Sequence, residues 1–239
     1  SQMVAREQGA EDFISLGGSK ANRGDYQGAI AEYNRALRIN PNNPDALLRR
    51  GSAYYQIDDY QAAIKDFNEV IRLSPNNADV YFYRGYSRNE LGDKQGALSD
   101  YNQAIRLNPN FAASYNNRGN VRSNLGDKQG ALADYNQAIR LNPNDADVYY
   151  NRGNTRDDLG DYQLAIEDLN QAIRIDPNYA RAYNLRGWIR SNRLKEYSAA
   201  ITDFDQAIRL DPNLAVAYYN RGNTRDDLGD YQKAIEDLN

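Results

Sequence analysis

Ala165, Ile166, Leu169, Ala172 and Ile173 fall at i, i+1, i+4, i+7 and i+8, with polar side chains between them. That spacing lays one apolar stripe along a helix. Asp161 stands where an N-cap is needed, and Leu159-Gly160 just before it forms a stop in which glycine can take φ > 0. Upstream, Ala146 to Leu159 holds no breaker except Gly153 and predicts a first helix. Pro177, flanked by Asp176 and Asn178, ends the second and sets up the next. Residues 146–179 therefore predict two helices in sequence. At another junction the start signal is sharper, with Asn43 as N-cap and Pro44 at the first helical position.

This unit recurs. Glycines stand at 17, 51, 85, 119, 153, 187 and 222, spaced by 34 residues and finally by 35. Prolines at 41, 75, 109, 143, 177 and 212 keep the same spacing, and Ala29, Ala63, Ala97, Ala131, Ala165, Ala200 and Ala234 form a third column in register. A glycine inside a helix costs ~1 kcal/mol relative to alanine. Its recurrence predicts a close crossing of the two helices, with Gly153 facing Ala165. One pair of short helices cannot bury its own faces, so successive pairs must stack into a solenoid.

The run Tyr-Tyr-Asn-Arg-Gly at 149–153, Leu-Gly-Asp-Tyr at 159–162, and Ala165, Ala172 and Pro177 resemble the tetratricopeptide repeat, in wording most like bacterial and especially cyanobacterial members. The resemblance spans nearly the whole chain. It gives six units at about 10–43, 44–77, 78–111, 112–145, 146–179 and 180–214 and a partial seventh over 215–239. It implies an all-α, right-handed superhelical solenoid, read as a single array over 1–239, whose first helices line a concave groove. It also implies a protein- or peptide-binding scaffold or adaptor.

Composition narrows the chemistry. Lys and Arg number 29 against 33 Asp and Glu, a net charge of −4, which argues against a general nucleic-acid binder. The chain has no Cys and no His, so thiol nucleophiles, thiolate metal sites and the commonest general base are absent. No nucleophile–base pair, phosphate loop or metal cage is present either. The reading is a non-enzyme with no cofactor and no metal. No apolar run approaches the roughly 20 residues of a membrane span. No membrane insertion is expected, and a soluble, cytoplasmic setting is slightly favoured over a periplasmic or lumenal one.

Two rows of residues are candidates for recognition. Arginines pair at i and i+4 in Arg84/Arg88, Arg118/Arg122, Arg152/Arg156, Arg186/Arg190 and Arg221/Arg225, where members of the resembled family carry an apolar and an aromatic residue. Aspartates recur on the second helices at 66, 100, 134, 168, 203 and 237. The two rows make either an internal ion-pair ladder or, less readily, a ridge for an anionic ligand. By resemblance, the groove wall comprises Leu48, Tyr55, Phe82, Tyr86, Asn89, Asn116, Asn120, Tyr150, Asn154, Asn184 and Trp188. Aromatic side chains offer contact area at low entropy cost, and Asn can pair with both groups of a peptide backbone. Inter-repeat packing and a plain solvated wall are the competing readings. The family's carboxylate-clamp lysines have no counterpart, since those columns hold Ile14, Leu48, Phe82, Asn116, Tyr150, Asn184 and Tyr219.

Three irregularities stand out. Arg193-Leu194-Lys195-Glu196-Tyr197 adds a residue to the turn of the sixth unit, as a tolerated insertion or a basic contact point. Tyr149–Asn170 and Tyr218–Asn239 differ only at Leu164 versus Lys233. In the partial seventh unit, Ala234, Ile235 and Leu238 are expected to expose an apolar stripe. Its alternatives are a longer protein's next repeat or head-to-tail self-association as a structural spacer.

Overall fold

The computed structural model describes residues 1–239 as fourteen α-helices without a strand. The chain forms two compact units, Ser1–Val121 and Arg122–Asn239. The first holds α1 (Gln2–Asn22), α2 (Tyr26–Ile39), α3 (Pro44–Gln56), α4 (Tyr60–Leu73), α5 (Ala78–Glu90), α6 (Lys94–Leu107) and most of α7 (Ala112–Asn124). The second holds α8 (Lys128–Leu141), α9 (Ala146–Asp158), α10 (Tyr162–Ile175), α11 (Ala180–Asn192), α12 (Tyr197–Leu210), α13 (Ala215–Leu228) and α14 (Tyr231–Leu238). Within each unit the helices pack as consecutive pairs, and each pair also packs on the next. The first helix is longer than the repeat pattern implies, because it begins at Gln2 rather than near Ala10.

The ends follow local chemistry. Asn43 Oδ1 accepts from the Ala46 amide at 3.0 Å, with Pro44 opening α3. Asp25, Asp59, Asp93 and Asp127 each accept from the amide three residues on, which satisfies one of the orphan donors at a helix start. Asp161 holds the same N-cap position at α10 without a side-chain bond, so there the position was legible and the bond was not. Gly160 takes φ of 84° at the preceding turn, as a left-handed stop requires.

The core runs along the facing stripes of the pairs. In the first unit Leu37, Ala46, Ala63, Phe67, Val70 and Val80 are buried together; in the second, Ala165, Ile166, Leu169, Ala172, Ala182 and Ile189. Full burial of a Leu, Ile or Phe side chain stabilises by about 1.5–3 kcal/mol. The close crossing is real at Gly153, where an added Cβ would lie 3.2 Å from the Ala165 carbonyl oxygen. At Gly187 it is tighter still, with Phe204 Cε1 at 2.8 Å.

Candidate protein-binding surface

The arginine and aspartate rows close on each other. Arg84 Nε and Nη2 donate to Asp100 Oδ2 and Oδ1 at 3.0 and 2.7 Å, and Arg88 Nη1 adds a third bond to Oδ2 at 2.9 Å. Arg152 and Arg156 treat Asp168 in the same way, as do Arg186 and Arg190 with Asp203, and Arg221 and Arg225 with Asp237. The leading arginine of each set also reaches back to the second helix of the preceding pair. Arg84 donates to Asn68 at 2.9 Å, Arg118 to Asn102 at 2.9 Å, Arg152 to Asn136 at 2.8 Å and Arg186 to Asn170 at 2.7 Å. Arg84, Arg152 and Arg186 therefore each tie two second helices together while lying over a tyrosine, as Arg84 lies 5.6 Å from the Tyr81 ring centre. Asp100, Asp168 and Asp203 are buried. The rows form an internal ladder in each unit, and no free basic ridge remains for an anion. Arg50 belongs to it as well, donating to Asp66 and Asn34. Its i+4 neighbour is Tyr54 rather than arginine, which hid it from a search for arginine pairs.

The expected groove residues divide between the units. In the first, Tyr55 and Tyr86 pack edge to face with ring centres 5.3 Å apart, and Tyr83 and Tyr60 join them at 5.1 and 6.1 Å from Tyr55. Phe82 lies 4.8 Å from Phe111 and 5.9 Å from Tyr101. Leu48 packs against the core cluster, and the buried Oδ1 of Asn89 has no hydrogen-bond partner. Asn116 and Asn120 are half-buried on α7. Burial, reinforced by the neighbouring Tyr86 and Tyr83, pushes the Tyr55 hydroxyl up to about 12, and burial raises Tyr60 and Tyr86 too. The aromatic side chains of the wall thus pack on one another between repeats, and Tyr55, Phe82 and Tyr86 stay half-buried.

The first unit also has an open cleft of about 430 Å³, lined in part by Ala21, Asn22, Leu48, Arg49, Ser52 and Gln56. Of these, Leu48 alone was singled out from the sequence. The others lie on α1 and α3, and nothing in their residue types sets them apart. Arg49 is held by Asp45 at 2.9 Å, whose hydrogen bond raises the guanidinium's pKa.

In the second unit the expected residues are engaged differently. Tyr150 stacks on Tyr179 at 5.3 Å, with the Arg181 guanidinium 5.2 Å from its centre. The Tyr179 hydroxyl donates to Asp147 at 2.5 Å, and burial with that bond raises its pKa. Asn184 Oδ1 accepts from Asn220 at 3.0 Å, and Asn154 is exposed. Trp188 lies under the Arg193 guanidinium at 4.7 Å. The same guanidinium sits 5.4 Å from the Tyr162 ring and donates to Asp157 at 3.1 Å. The inserted turn therefore folds its arginine inward onto Trp188, Tyr162 and Asp157. Lys195 takes φ of 59° where the turn before α4 uses Asp58, at 60°, and the turns at 24, 92, 126, 160 and 229 use glycine.

Repeat models described as TPR repeat match residues 20–58, 51–92, 85–126, 124–156 and 192–229, and one described as tetratricopeptide repeat matches 146–179. The chain belongs to the tetratricopeptide repeat family. No curated protein matches it significantly. Among solved structures, the MamA protein is 26% identical over 73% of this chain and 95% of its own, with a TM-score of 0.66. YrrB, described as a TPR protein with an unusual peptide-binding site, is 25% identical over 71% of this chain and 88% of its own, at a TM-score of 0.62. A tetratricopeptide repeat protein from Parabacteroides merdae, 20% identical, shares the fold over 96% of this chain and 91% of its own, at 0.80. In this family the helix pairs serve protein interaction, and no helix here is long and apolar enough to cross a membrane.

Proposed function

We propose that this tetratricopeptide repeat array, working over 1–239, is a scaffold that holds a segment of another protein against its first helices. The observation that carries the reading is the cleft between α1 and α3, together with the half-exposed rings of Tyr55 on α3 and of Phe82 and Tyr86 on α5. Internal ion pairing consumes most of the buried charge on the second helices, which leaves contact area and amides as the recognition chemistry of the first. Asn116 and Asn120 on α7 would belong to this wall in the first unit, and Tyr150, Asn154, Asn184 and Trp188 would form a wall of the second unit on α9 and α11. The peptide-binding site named for YrrB supports the same class of ligand for this chain. Large aromatic surfaces with adaptable amides suit an extended peptide better than a compact small molecule.

The test is a peptide selected by display against the intact chain, followed by affinity measurement on Ser52→Arg with Gln56→Ala. Both residues line the cleft without entering the core. The expected result is a loss of affinity of tenfold or more, about 1.4 kcal/mol, with an unchanged melting temperature. Unchanged affinity would place the ligand elsewhere and end this assignment.

A further inference from the structure

At two places in the second unit the chain seats a cation of its own where one repeat meets the next. Between the fifth and sixth repeats the Arg193 guanidinium lies 5.4 Å from the Tyr162 ring and 4.7 Å from the Trp188 ring, and it donates to Asp157 at 3.1 Å. Between the fourth and fifth, the Lys128 ammonium donates to Asp158 at 2.6 Å and to Ser123 at 3.0 Å. Lys128 and Tyr162 open α8 and α10, so both cations occupy the same corner of the repeat.

The corresponding corner of the first unit, between the second and third repeats, is built of rings. Tyr60, Tyr86, Tyr55 and Leu91 hold the register positions of Tyr162, Trp188, Asp157 and Arg193. Against the other corner, Tyr60 replaces Lys128, Tyr55 replaces Ser123, and Glu90 keeps the carboxylate of Asp158. The positions that supply a cation elsewhere thus hold Leu91 and Tyr60. Ring centres of Tyr55, Tyr60 and Tyr86 are 5.3 to 6.1 Å apart and their planes cross at 56 to 70°, so the rings wall a corner and do not stack. All three are half-buried. The Tyr60 hydroxyl donates to Asp58 at 2.8 Å, and Glu90 stands one turn after Tyr86 on α5. Burial is the largest cause that raises the three hydroxyls, and the charges of both Asp58 and Glu90 add to it in each. Both carboxylates are exposed.

We propose that this corner of Tyr55, Tyr60 and Tyr86, rimmed by Asp58 and Glu90, seats the ammonium of a lysine on the protein segment that the array holds. The seat presupposes the scaffold reading above and gives one recognised side chain its chemistry. Ring faces attract a cation through their quadrupole, and the two carboxylates add to that attraction. The register selects lysine over arginine. Glu90 keeps the carboxylate that binds an ammonium at Asp158, whereas Tyr55 replaces Asp157, the carboxylate that binds the guanidinium. An ammonium is also a compact point charge whose three donors can turn to acceptors on different sides.

The probes are acetyl-Ala-Ala-Lys-Ala-Ala-amide and the same peptide with norleucine for lysine. Each is titrated into the intact chain carrying isotope-labelled tyrosine rings and followed by NMR. Saturable shifts at Tyr55, Tyr60 and Tyr86 are expected with the lysine peptide. None is expected with norleucine, which keeps an apolar stem without the charge. Glu90→Gln with Asp58→Asn should weaken the lysine peptide about threefold to fivefold, as should Tyr86→Asn, which copies the residue at Asn120. Asparagine tolerates the left-handed backbone of Asp58, at φ of 60°, so the helical circular dichroism should stay intact. Equal response to the two peptides, shifts confined to other tyrosines, or an affinity untouched by both variants overturns the proposal. The pentapeptides read the corner directly, so a negative result leaves the scaffold reading to its own peptide test.

Discussion

At Lys195 the backbone takes φ of 59°, a conformation that Gly92, Gly126, Gly160 and Gly229 adopt at the corresponding turns. An L side chain there meets the carbonyl that follows and costs about 1–2 kcal/mol. Lys195→Gly should therefore raise stability by about 1 kcal/mol, since glycine gives back part of that gain as chain entropy. Urea denaturation measures it, and an unchanged or lower midpoint would show the turn to be unstrained. The opposite change at a crossing should be costly. In Gly187→Ala the new methyl would lie 2.8 Å from Phe204 and 3.1 Å from the Ala200 carbonyl oxygen. The helix-propensity gain of ~1 kcal/mol loses to overpacking of about 1–3 kcal/mol. The net effect should be a lower melting temperature. The glycine column was plain in the sequence; the strain at Lys195 was not, because an insertion shifts the turn without naming which residue absorbs it.

At the scale of the element, the second helices are held by carboxylates buried beneath guanidiniums. Removing Asp168 leaves Arg152 and Arg156 without their shared acceptor, at a cost of about 3–5 kcal/mol. Asp168→Ala should accordingly broaden and lower the thermal transition. Replacing the whole set, as Arg152→Leu, Arg156→Tyr and Asp168→Ala, restores residue types common elsewhere in the family and should be neutral or stabilising, because desolvating the ions then costs nothing. Calorimetry of the single and triple variants separates the two outcomes. If the triple variant were as unstable as the single one, the ladder would be contributing net stability and not register. The ladder was legible as two matched columns. Arg50 was missed because Tyr54 broke the pair motif, and the bonds to Asn34, Asn68, Asn102, Asn136 and Asn170 needed the stacking of neighbouring pairs to bring them into reach.

For the molecule as a whole, the chain carries 20 tyrosines, many of them in the packing between repeats. Burial holds Tyr55 and Tyr135 up to about 12, above the ordinary value of 10. The folded state keeps those protons longer than the unfolded chain does. Their contribution is therefore fully present below pH 10 and is lost as pH rises toward about 12. Chemical denaturation at a series of alkaline pH values should show stability falling across that window. A flat profile would mean that the hydroxyls are hydrated in the fold. Stability in such arrays is a sum of pair and neighbour terms, so the transition need not be two-state.

The sequence by itself determined the helix pairs, their repeat, the close crossings and the matched arginine and aspartate columns. These follow from short-range chemistry repeated at a fixed spacing: caps, stops, small residues and an apolar stripe. It also named a wall of Tyr, Phe, Trp and Asn, but could not say which of those side chains are spent on each other. Tertiary structure decided that. Tyr55 and Tyr86 share a cluster, Trp188 is covered by Arg193, and Tyr150 packs with Tyr179 and Arg181. The deciding partners come from the next helix pair, about thirty residues away in the chain, and for Trp188 from the turn that follows its own helix. The stripe expected to be open at Ala234, Ile235 and Leu238 makes the same point. Ile235 and Leu238 are exposed, but Ala234 is buried within its own helix pair, because the small column faces the partner helix.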